Sequence, residues 1–276
     1  QNYNHPSVVM WGIFSLIWER GDYVLDYVRE LNSTAKRLDP TRPTVACSNQ
    51  NGDVNFITDL IVWQQNVGWE RGSTEDLAIW RDKLYKDWGH LRSAVAYGEG
   101  GSIDQQTEEV IKPARIIERW LPERWQTEFH EGYAKHIAPD SIFWGVWINN
   151  MFDFGSARHT GGMSQRGLIT FDRKDCKDAY YLYRALWNKK QPTLHLTEKR
   201  RNIRQDTIQQ VKFYSSAKEQ PILLVNKDTI AVKEVAPCQF ISDSIIMHGR
   251  NKVVVKAGEL TDDETITIGN ALKQRR

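Results

Sequence analysis

Cysteine is scarce in this chain, and the usual sequence signals of metal and nucleotide sites are missing. Three cysteines occur among 276 residues, Cys47, Cys176 and Cys238. They stand far apart, without a CxxC pair and without a histidine at metal-ligand spacing, so neither a disulfide framework nor a zinc site is predicted. The glycines between residues 98 and 101 lack the GxGxxG order of a phosphate-binding loop. We therefore expect no cofactor and no metal.

Excess charge and long apolar runs are also missing. Thirty-seven basic and thirty-five acidic residues leave a formal net charge of +2, which argues against nucleic acid or an acidic membrane surface as a partner. A run of about eighteen apolar residues, which a membrane-spanning helix needs, is absent. Gln1 is neither an initiator methionine nor the start of a signal peptide. We expect a soluble chain that was processed or cut from something longer.

Tryptophan, by contrast, is abundant. Eleven tryptophans occur, well above average usage. An aromatic excess is typical of proteins that stack on sugar rings, and burial in a large core explains it equally well.

Short apolar runs alternate with helical patterns from residue 8 to residue 188. The predicted strands cover residues 8–14, 43–48, 60–64, 93–98 and 141–149, and the predicted helices begin near Asp22, Ser73, Pro122 and Asp178. Strands that are apolar throughout and separated by helices indicate a parallel sheet with both faces covered, hence an α/β fold.

The pattern changes after Gln191-Pro192 to short alternating stretches separated by turn residues. These stretches predict strands at 210–214, 221–226, 229–235, 241–247, 252–256 and 264–268. Such a pattern is typical of a small antiparallel β-sandwich. We therefore divide the chain into residues 1–190 and residues 191–276.

Several motifs together carry a resemblance to a known family. They are Asn4-His5-Pro6-Ser7-Val8-Val9-Met10-Trp11-Gly12, Asp39-Pro40-Thr41-Arg42-Pro43, Trp120-Leu121-Pro122-Glu123-Arg124-Trp125-Gln126, Asn150-Met151-Phe152-Asp153-Phe154 and Gly167-Leu168-Ile169-Thr170-Phe171-Asp172-Arg173-Lys174. In this order and spacing they resemble glycoside hydrolase family 2, and most of all its β-galactosidase-like enzymes. The resemblance implies a (β/α)8 TIM-type barrel with catalytic groups at the carboxyl ends of its strands, followed by an immunoglobulin-like sandwich. It also implies a carbohydrate ligand and a soluble, secreted or periplasmic protein; the compartment stays open.

The same resemblance implies that part of the barrel is missing from this chain. Family members carry sandwich domains and three barrel strands ahead of the Asn-His-Pro-Ser motif, so only strands four to eight are expected here. Unpaired strand edges invite association. We therefore expect self-association, a complementary chain across the open edges, or a redesigned shortened barrel.

The positions that match the family's catalytic pair carry no carboxyl group. A retaining glycosidase needs two carboxyl groups about 5 to 5.5 Å apart, an acid that protonates the leaving oxygen and a nucleophile. The resemblance places the acid at Leu16, directly after Ser15, and the nucleophile at Ala96, directly before Tyr97-Gly98. Neither side chain can do this chemistry.

Other pocket positions depart from the family pattern as well. Asn66 stands where the family has a tyrosine, Asn149 where it has a pocket-floor tryptophan, and Ser164 where an asparagine or aspartate is common. The candidate ligand-binding residues are Ser15, Asn66, Trp69, Trp147, Asn149 and, in the loop after the last barrel strand, Arg158 and His159.

Glu19 and Glu99 are the fallback candidates for catalysis. Each follows its vacated position by three residues, and an odd offset on a strand turns a side chain to the other face. The simpler expectation is that Glu19 belongs to the turn before a helix and that Glu99 lies in a glycine-rich loop facing water. Asp153 is expected to be a structural hydrogen-bonding group.

Three functions remain open from the sequence. The first is a non-catalytic family 2 relative that binds a saccharide or another small ligand. The second is an active retaining β-glycosidase of β-galactosidase type that uses displaced carboxylates or a complementary chain. The third is a scaffold or assembly module.

Overall fold

The computed structural model of the chain describes residues 2–89, 91–111, 120–137 and 141–269. Contacts group the chain into two compact units, one comprising residues up to Gly98 with His136–Asn149, the other Glu99–Lys135 with the residues from Asn150 onward. This grouping differs from the division at residue 190, which stays a prediction. No helix of the described ranges is long and apolar enough to cross a membrane.

The first unit is built on a five-stranded parallel sheet. Its strands are β1 (Trp11–Ser15), β2 (Thr44–Ser48), β3 (Leu60–Gln64), β4 (Ser93–Tyr97) and β5 (Phe143–Ile148). They pair in the order β1-β2-β3-β4-β5, every pair parallel. In a TIM-type barrel each strand pairs with the next strand in the chain. In a doubly wound sheet, by contrast, the strand order reverses at a switch point. The predicted α/β fold with a partial TIM-type barrel is confirmed.

Helix α1 (Asp22–Leu38) follows β1, and a short 3-10 helix (Asp53–Phe56) follows β2. The buried residues of α1 lie in its first half, Val24, Leu25 and Val28, and the helix packs against β1 and β2. In the sequence, one apolar stripe of this helix comprises Val24, Val28, Leu31, Ala35 and Leu38, and this spacing predicts that all five face inward. Leu38 is instead 70% exposed. The prediction was wrong there because β1 is the outermost described strand, and no described strand lies beyond it to cover the end of the stripe.

Helix α2 (Asp76–Trp88) lies between β3 and β4. In the sequence, Asp76 follows Ser73 by three residues, the spacing of a capping box. Half of this box forms, since the Asp76 carboxylate accepts the Ser73 N–H at 2.8 Å. Trp80 stacks on Phe143 of β5, with ring centroids 6.0 Å apart. The face of the sheet that carries Phe143 is therefore covered by α2.

The second unit contains helix α3 (Glu123–His136) except for its last residue, helix α4 (Asp178–Trp187), two short strand pairs and a sandwich. The strand pairs are β6 (Phe154–Gly155) with β7 (Met163–Ser164), and β10 (Ile208–Gln209) with β16 (Ile245–Ile246). The remaining strands are β8 (Leu194–Leu196), β9 (Ile203–Arg204), β11 (Lys212–Ser215), β12 (Ile222–Val225), β13 (Asp228–Ile230), β14 (Val232–Ala236), β15 (Gln239–Ser242), β17 (Arg250–Ala257) and β18 (Leu260–Ile268).

The sandwich consists of a four-stranded sheet, β14-β15-β11-β8, and a five-stranded sheet, β13-β12-β17-β18-β9. Phe213, Leu223, Val253 and Val255 form the centre of its core, each fully buried. The predicted antiparallel pairing holds except where β9 runs parallel to β18. The predicted strand 229–235 is divided between β13 and β14, and the predicted strand 241–247 between β15 and β16.

Candidate functional site

The candidate site lies on one face of the parallel sheet, at the carboxyl ends of its strands. Ala96 is in register with Gln64 on one side and with Trp147 on the other. Partners in register share a face, and successive residues of a strand alternate between faces. Ser93 is in register with Phe143, which contacts α2, and it precedes Ala96 by an odd number of residues. Ala96 and its partners therefore point away from α2.

Ser15 belongs to the same face. Ser15 is in register with Cys47 on β2, and Cys47 is in register with Val62 on β3. Val62 is in register with Ala94 on β4, which shares a face with Ala96 because the two are two residues apart. The Ser15 and Cys47 side chains are hydrogen-bonded, while burial raises the pKa of the Cys47 thiol. Register thus brings the predicted ligand residues Ser15 and Trp147 to one face with Ala96, the predicted nucleophile position.

Trp147 offers the face an aromatic ring. Its side chain is 39% exposed, and its ring meets the Trp144 ring edge-on, with centroids 4.9 Å apart. The Trp144 indole N–H donates to the carbonyl of Arg92 at 2.9 Å, which fixes that neighbour in place. Beside it in register stand the Ala96 methyl and, on the next strand, the Gln64 amide. A ring surface next to an amide suits a ligand with one apolar and one polar side.

Leu16, which the sequence predicts at the acid position, has an unusual backbone conformation. Its φ is 56°, its N–H donates to the Cys47 carbonyl at 2.9 Å, and its side chain is 36% exposed. A left-handed backbone is unfavourable for a residue with a branched, bulky side chain. The structure therefore presents an alkyl group on a strained backbone at the end of β1.

Asn149 is held at the end of β5 through its backbone. Its N–H donates to the Tyr97 carbonyl at 2.9 Å. Gly98 follows Tyr97, the last residue of β4, and has a φ of 156°. A Cβ built on Gly98 would lie 2.0 Å from the Asn149 carbonyl oxygen. The close approach of the two strand ends thus requires glycine at position 98.

Asn66 and Trp69 lie in the turn after β3. The Asn66 carbonyl accepts the N–H groups of Trp69 and Glu70, at 3.0 and 3.1 Å, and its side-chain amide donates to the Glu70 carboxylate at 3.1 Å. Trp69 is 6% exposed, whereas Asn66 is half-buried. Of these two predicted ligand residues, Asn66 presents the more accessible side chain.

Glu19 is engaged in the structure of its own loop. Its carboxylate accepts the Val54 N–H at 3.1 Å, at the start of the 3-10 helix. A Cβ on Gly52, where φ is 155°, would come within 2.3 Å of the same carboxylate oxygen. Glu19 therefore stabilises the loop between β2 and β3 by binding an amide at the first turn of that helix.

Glu99 belongs to the second unit and is buried. It is 2% exposed, and its carboxylate forms an ion pair with Arg166 at 3.1 Å. The expectation that Glu99 faces water was wrong, because a cationic partner allows a carboxylate to be buried in a loop. The loop itself packs closely: a Cβ on Gly101 would lie 2.6 Å from Cβ of Gln126, whose amide donates to the Glu99 carbonyl at 2.8 Å.

Asp153 has the structural role predicted for it. Its carboxylate accepts the Gly167 N–H and the Lys177 ammonium, each at 2.8 Å, and it is 7% exposed. Burial raises the pKa of Asp153, while Lys177 opposes that rise. The aspartate thereby fixes the segment that carries the Gly-Leu-Ile-Thr motif.

Arg158 and His159 lie in the loop between β6 and β7, also in the second unit. Arg158 is exposed, and His159 Nδ1 lies 2.9 Å from the Ser156 hydroxyl. Ser164, at another position that departs from the family pattern, is fully buried in β7. Within the described ranges, no cluster of three or more His, Cys, Asp or Glu side chains could hold a metal ion.

Cys47 and Gln64 on the site face were missed by the sequence analysis. Both lie in the last two residues of strands that the sequence predicts. That position was the available signal, because ligand-facing side chains of this fold lie at strand ends.

Comparison with known proteins identifies relatives over most of the chain. The family model described as glycosyl hydrolases family 2, TIM barrel domain, matches residues 1–191. A β-glucuronidase of Bacteroides fragilis is 42% identical over 229 residues, which is 81% of this chain and 33% of that protein.

Solved structures extend the likeness to the sandwich. A Bacteroides fragilis structure with a provisional β-galactosidase assignment has a TM-score of 0.90 and 27% identity, over 98% of this chain and 42% of that one. An FMN-binding β-glucuronidase from Faecalibacterium prausnitzii L2-6 has a TM-score of 0.87 and 28% identity, over 99% of this chain and 43% of that one. The chain therefore spans between 33% and 43% of the length of these relatives.

Proposed function

The chain belongs to glycosyl hydrolase family 2, and we propose that it binds a β-glycoside at the carboxyl ends of β1–β5 without hydrolysing it. Membership of this family and the similarity of the chain to a β-glucuronidase support a carbohydrate ligand. The proposal that hydrolysis is lost rests on this chain's own residues at the strand ends.

The observation that carries the proposal is the place of Ala96. It lies on the face away from α2, in register between Gln64 and Trp147. A sugar ring that stacks on Trp147 would meet a methyl group where a retaining enzyme needs a nucleophile. Leu16, at the end of β1, likewise offers no proton to a leaving oxygen. Binding groups remain while both reacting groups are alkyl.

The displaced carboxylates already have structural partners. Glu19 accepts the Val54 N–H, and Glu99 is ion-paired with Arg166. A general acid must carry a proton, but the N–H hydrogen bond that Glu19 accepts favours its charged form. A nucleophile must be accessible to the substrate, but Glu99 is buried. This supports binding over an active site built from Glu19 and Glu99.

Release of nitrophenol from 4-nitrophenyl β-D-glucuronide and β-D-galactoside tests the proposal. We expect the wild-type chain to release none above the buffer rate. The double variant Leu16→Glu/Ala96→Glu should gain about 100-fold or more over the buffer rate if a restored acid contributes as general acids usually do. The single variants Leu16→Glu and Ala96→Glu serve as matched controls and should release no nitrophenol above the buffer rate.

Wild-type turnover would contradict the proposal. If Glu19→Gln or Glu99→Gln abolished that turnover, the displaced carboxylates would be identified as the catalytic groups. If neither did, the activity would have to come from other residues or a contaminating enzyme, which a second purification scheme distinguishes.

A further inference from the structure

Trp18 is the most exposed of the eleven tryptophans, and it follows the candidate site closely in the chain. Its side chain is 67% exposed, in the loop between β1 and α1, two residues after Leu16. An indole left in water forgoes the large stabilisation that burial would give it. An exposed tryptophan in the loop directly after a strand of the site is therefore a candidate for ligand contact.

The loop holds Trp18 from both sides. The Gln50 amide donates to the carbonyl of Ile17, the residue before it, and the carboxylate of Glu19, the residue after it, accepts the Val54 N–H. Gln50 is itself tied to the same segment, since its carbonyl accepts the Asn55 amide at 2.8 Å. With both neighbours anchored to the β2–β3 loop, the backbone at Trp18 is fixed, which lowers the entropy lost when a ligand binds.

Arg20 orients the indole. Its guanidinium carbon lies 5.9 Å from the Trp18 ring centroid, within the range of a cation–π contact. One guanidinium covers only one face of a ring. The opposite face stays available, which accounts for the large exposed fraction of this side chain.

We propose that Trp18 forms an outer subsite that stacks on the ring attached to the glycosidic oxygen of a bound β-glycoside. This inference rests on the function proposed above. In a retaining glycosidase the acid position stands beside the leaving oxygen, and in this chain that position is Leu16. Two residues span at most about 7 Å of chain, so the leaving group of a glycoside bound at the strand ends comes within reach of Trp18. The ligand class is a β-glycoside whose second ring is an aryl group or another sugar.

Paired glycosides test the subsite by calorimetry. The probes are methyl and phenyl β-D-glucuronide and methyl and phenyl β-D-galactoside, which differ within each pair only in the group at the glycosidic oxygen. We expect the wild-type chain to bind the phenyl member about three- to tenfold more tightly, as for one aromatic pair. Trp18→Ala should erase that preference and leave the methyl Kd unchanged, and Trp18→Phe should keep most of it.

Tyr85→Ala is the matched control, because Tyr85 is also an aromatic residue, 65% exposed, on α2. It should change no Kd. Lactose, whose second ring is a glucose, reports separately whether the subsite accepts a sugar, and its Kd should rise in Trp18→Ala if it does.

Two results would overturn the subsite while leaving the proposed function standing. One is an undiminished phenyl preference in Trp18→Ala. The other is an equal loss for methyl and phenyl glycosides in that variant, with thermal unfolding unchanged, which would place Trp18 in the pocket for the first ring. If the wild-type chain bound none of the probes, the proposed function itself would be contradicted, and the subsite with it.

Discussion

Among single residues, Leu16 combines an alkyl side chain at the predicted acid position with an unfavourable backbone conformation. Its φ of 56° places a bulky side chain in the left-handed region, at a cost of about 1–2 kcal/mol. Glycine adopts this region without that cost but loses about 0.5–1 kcal/mol through its larger freedom in the unfolded chain. Position 16 therefore tolerates glycine unusually well.

We predict that Leu16→Gly is more stable than the neighbouring Ile17→Gly by about 1–2 kcal/mol. Ile17 is absent from the positive-φ residues, so its replacement brings the flexibility of glycine without relief of strain. Urea unfolding of both variants measures the difference in the free energy of unfolding. Equal stability of the two variants would show that the Leu16 backbone is not strained.

The sequence could predict which residues stand at the site, but it could not predict which of them are buried. The motifs located Leu16 and Ala96 by resemblance, and side-chain chemistry alone argued against hydrolysis. Sequence could not say that Glu99 is buried, because its ion pair with Arg166 joins residues 67 positions apart, the difference between 166 and 99. The prediction of a solvated loop followed composition, and tertiary pairing overrode it.

At the scale of elements, the junction of β4 and β5 determines the shape of the site. The Asn149 N–H continues the ladder to Tyr97 at 2.9 Å, and this approach leaves no space for a side chain at Gly98. Since Ala96 and Trp147 are in register across the same pair of strands, separation of the two ends would also separate the proposed binding groups.

We predict that Gly98→Ala lowers the free energy of unfolding by at least about 2 kcal/mol and weakens glycoside binding. The added Cβ would stand 2.0 Å from the Asn149 carbonyl oxygen, so the strand ends must move apart. Gly12→Ala on β1 is the control, since a Cβ there meets nothing within 4 Å, and it should change stability by no more than about 0.5 kcal/mol. Similar effects of the two substitutions would contradict this account of the junction.

Most elements could be predicted from sequence because their periodicity is strong. The predicted bounds of β3 agree with the structure, as do the predicted starts of α1 and α4. The strands β8, β9 and β10 were missed, since two or three residues are too few to show an alternating pattern. Register, which decides the face that Ser15 and Ala96 share, depends on strand pairing and cannot be read from one strand alone.

At the scale of the whole molecule, the parallel sheet has two outer strands. Among the described strands, β1 pairs with β2 alone and β5 with β4 alone. Beside β1 lies an open cavity of about 550 Å³, lined in part by Tyr3, Trp11 and Leu38. Exposed edges and uncovered apolar stripes favour association, which supports an assembly role as a second candidate function.

We predict that the chain self-associates in solution through the β1 edge. Light scattering coupled to size exclusion should give a mass above the 32.1 kDa of one chain, and Leu38→Glu should reduce it, since a charge on that stripe would have to be desolvated. Tyr85→Glu on α2 is the control and should leave the mass unchanged. A monomeric mass at all concentrations would contradict association.

The proposed function requires the site to bind a β-glycoside and to leave it intact. One NMR sample of the chain with phenyl β-D-glucuronide or phenyl β-D-galactoside tests it directly, because saturation transfer reports binding while the free phenol signals report cleavage. We predict transfer to the sugar and phenyl protons with no phenol formed over days, and loss of phenyl transfer in Trp18→Ala. Release of phenol by the wild-type chain, or the absence of saturation transfer to both glycosides, would contradict the proposed function.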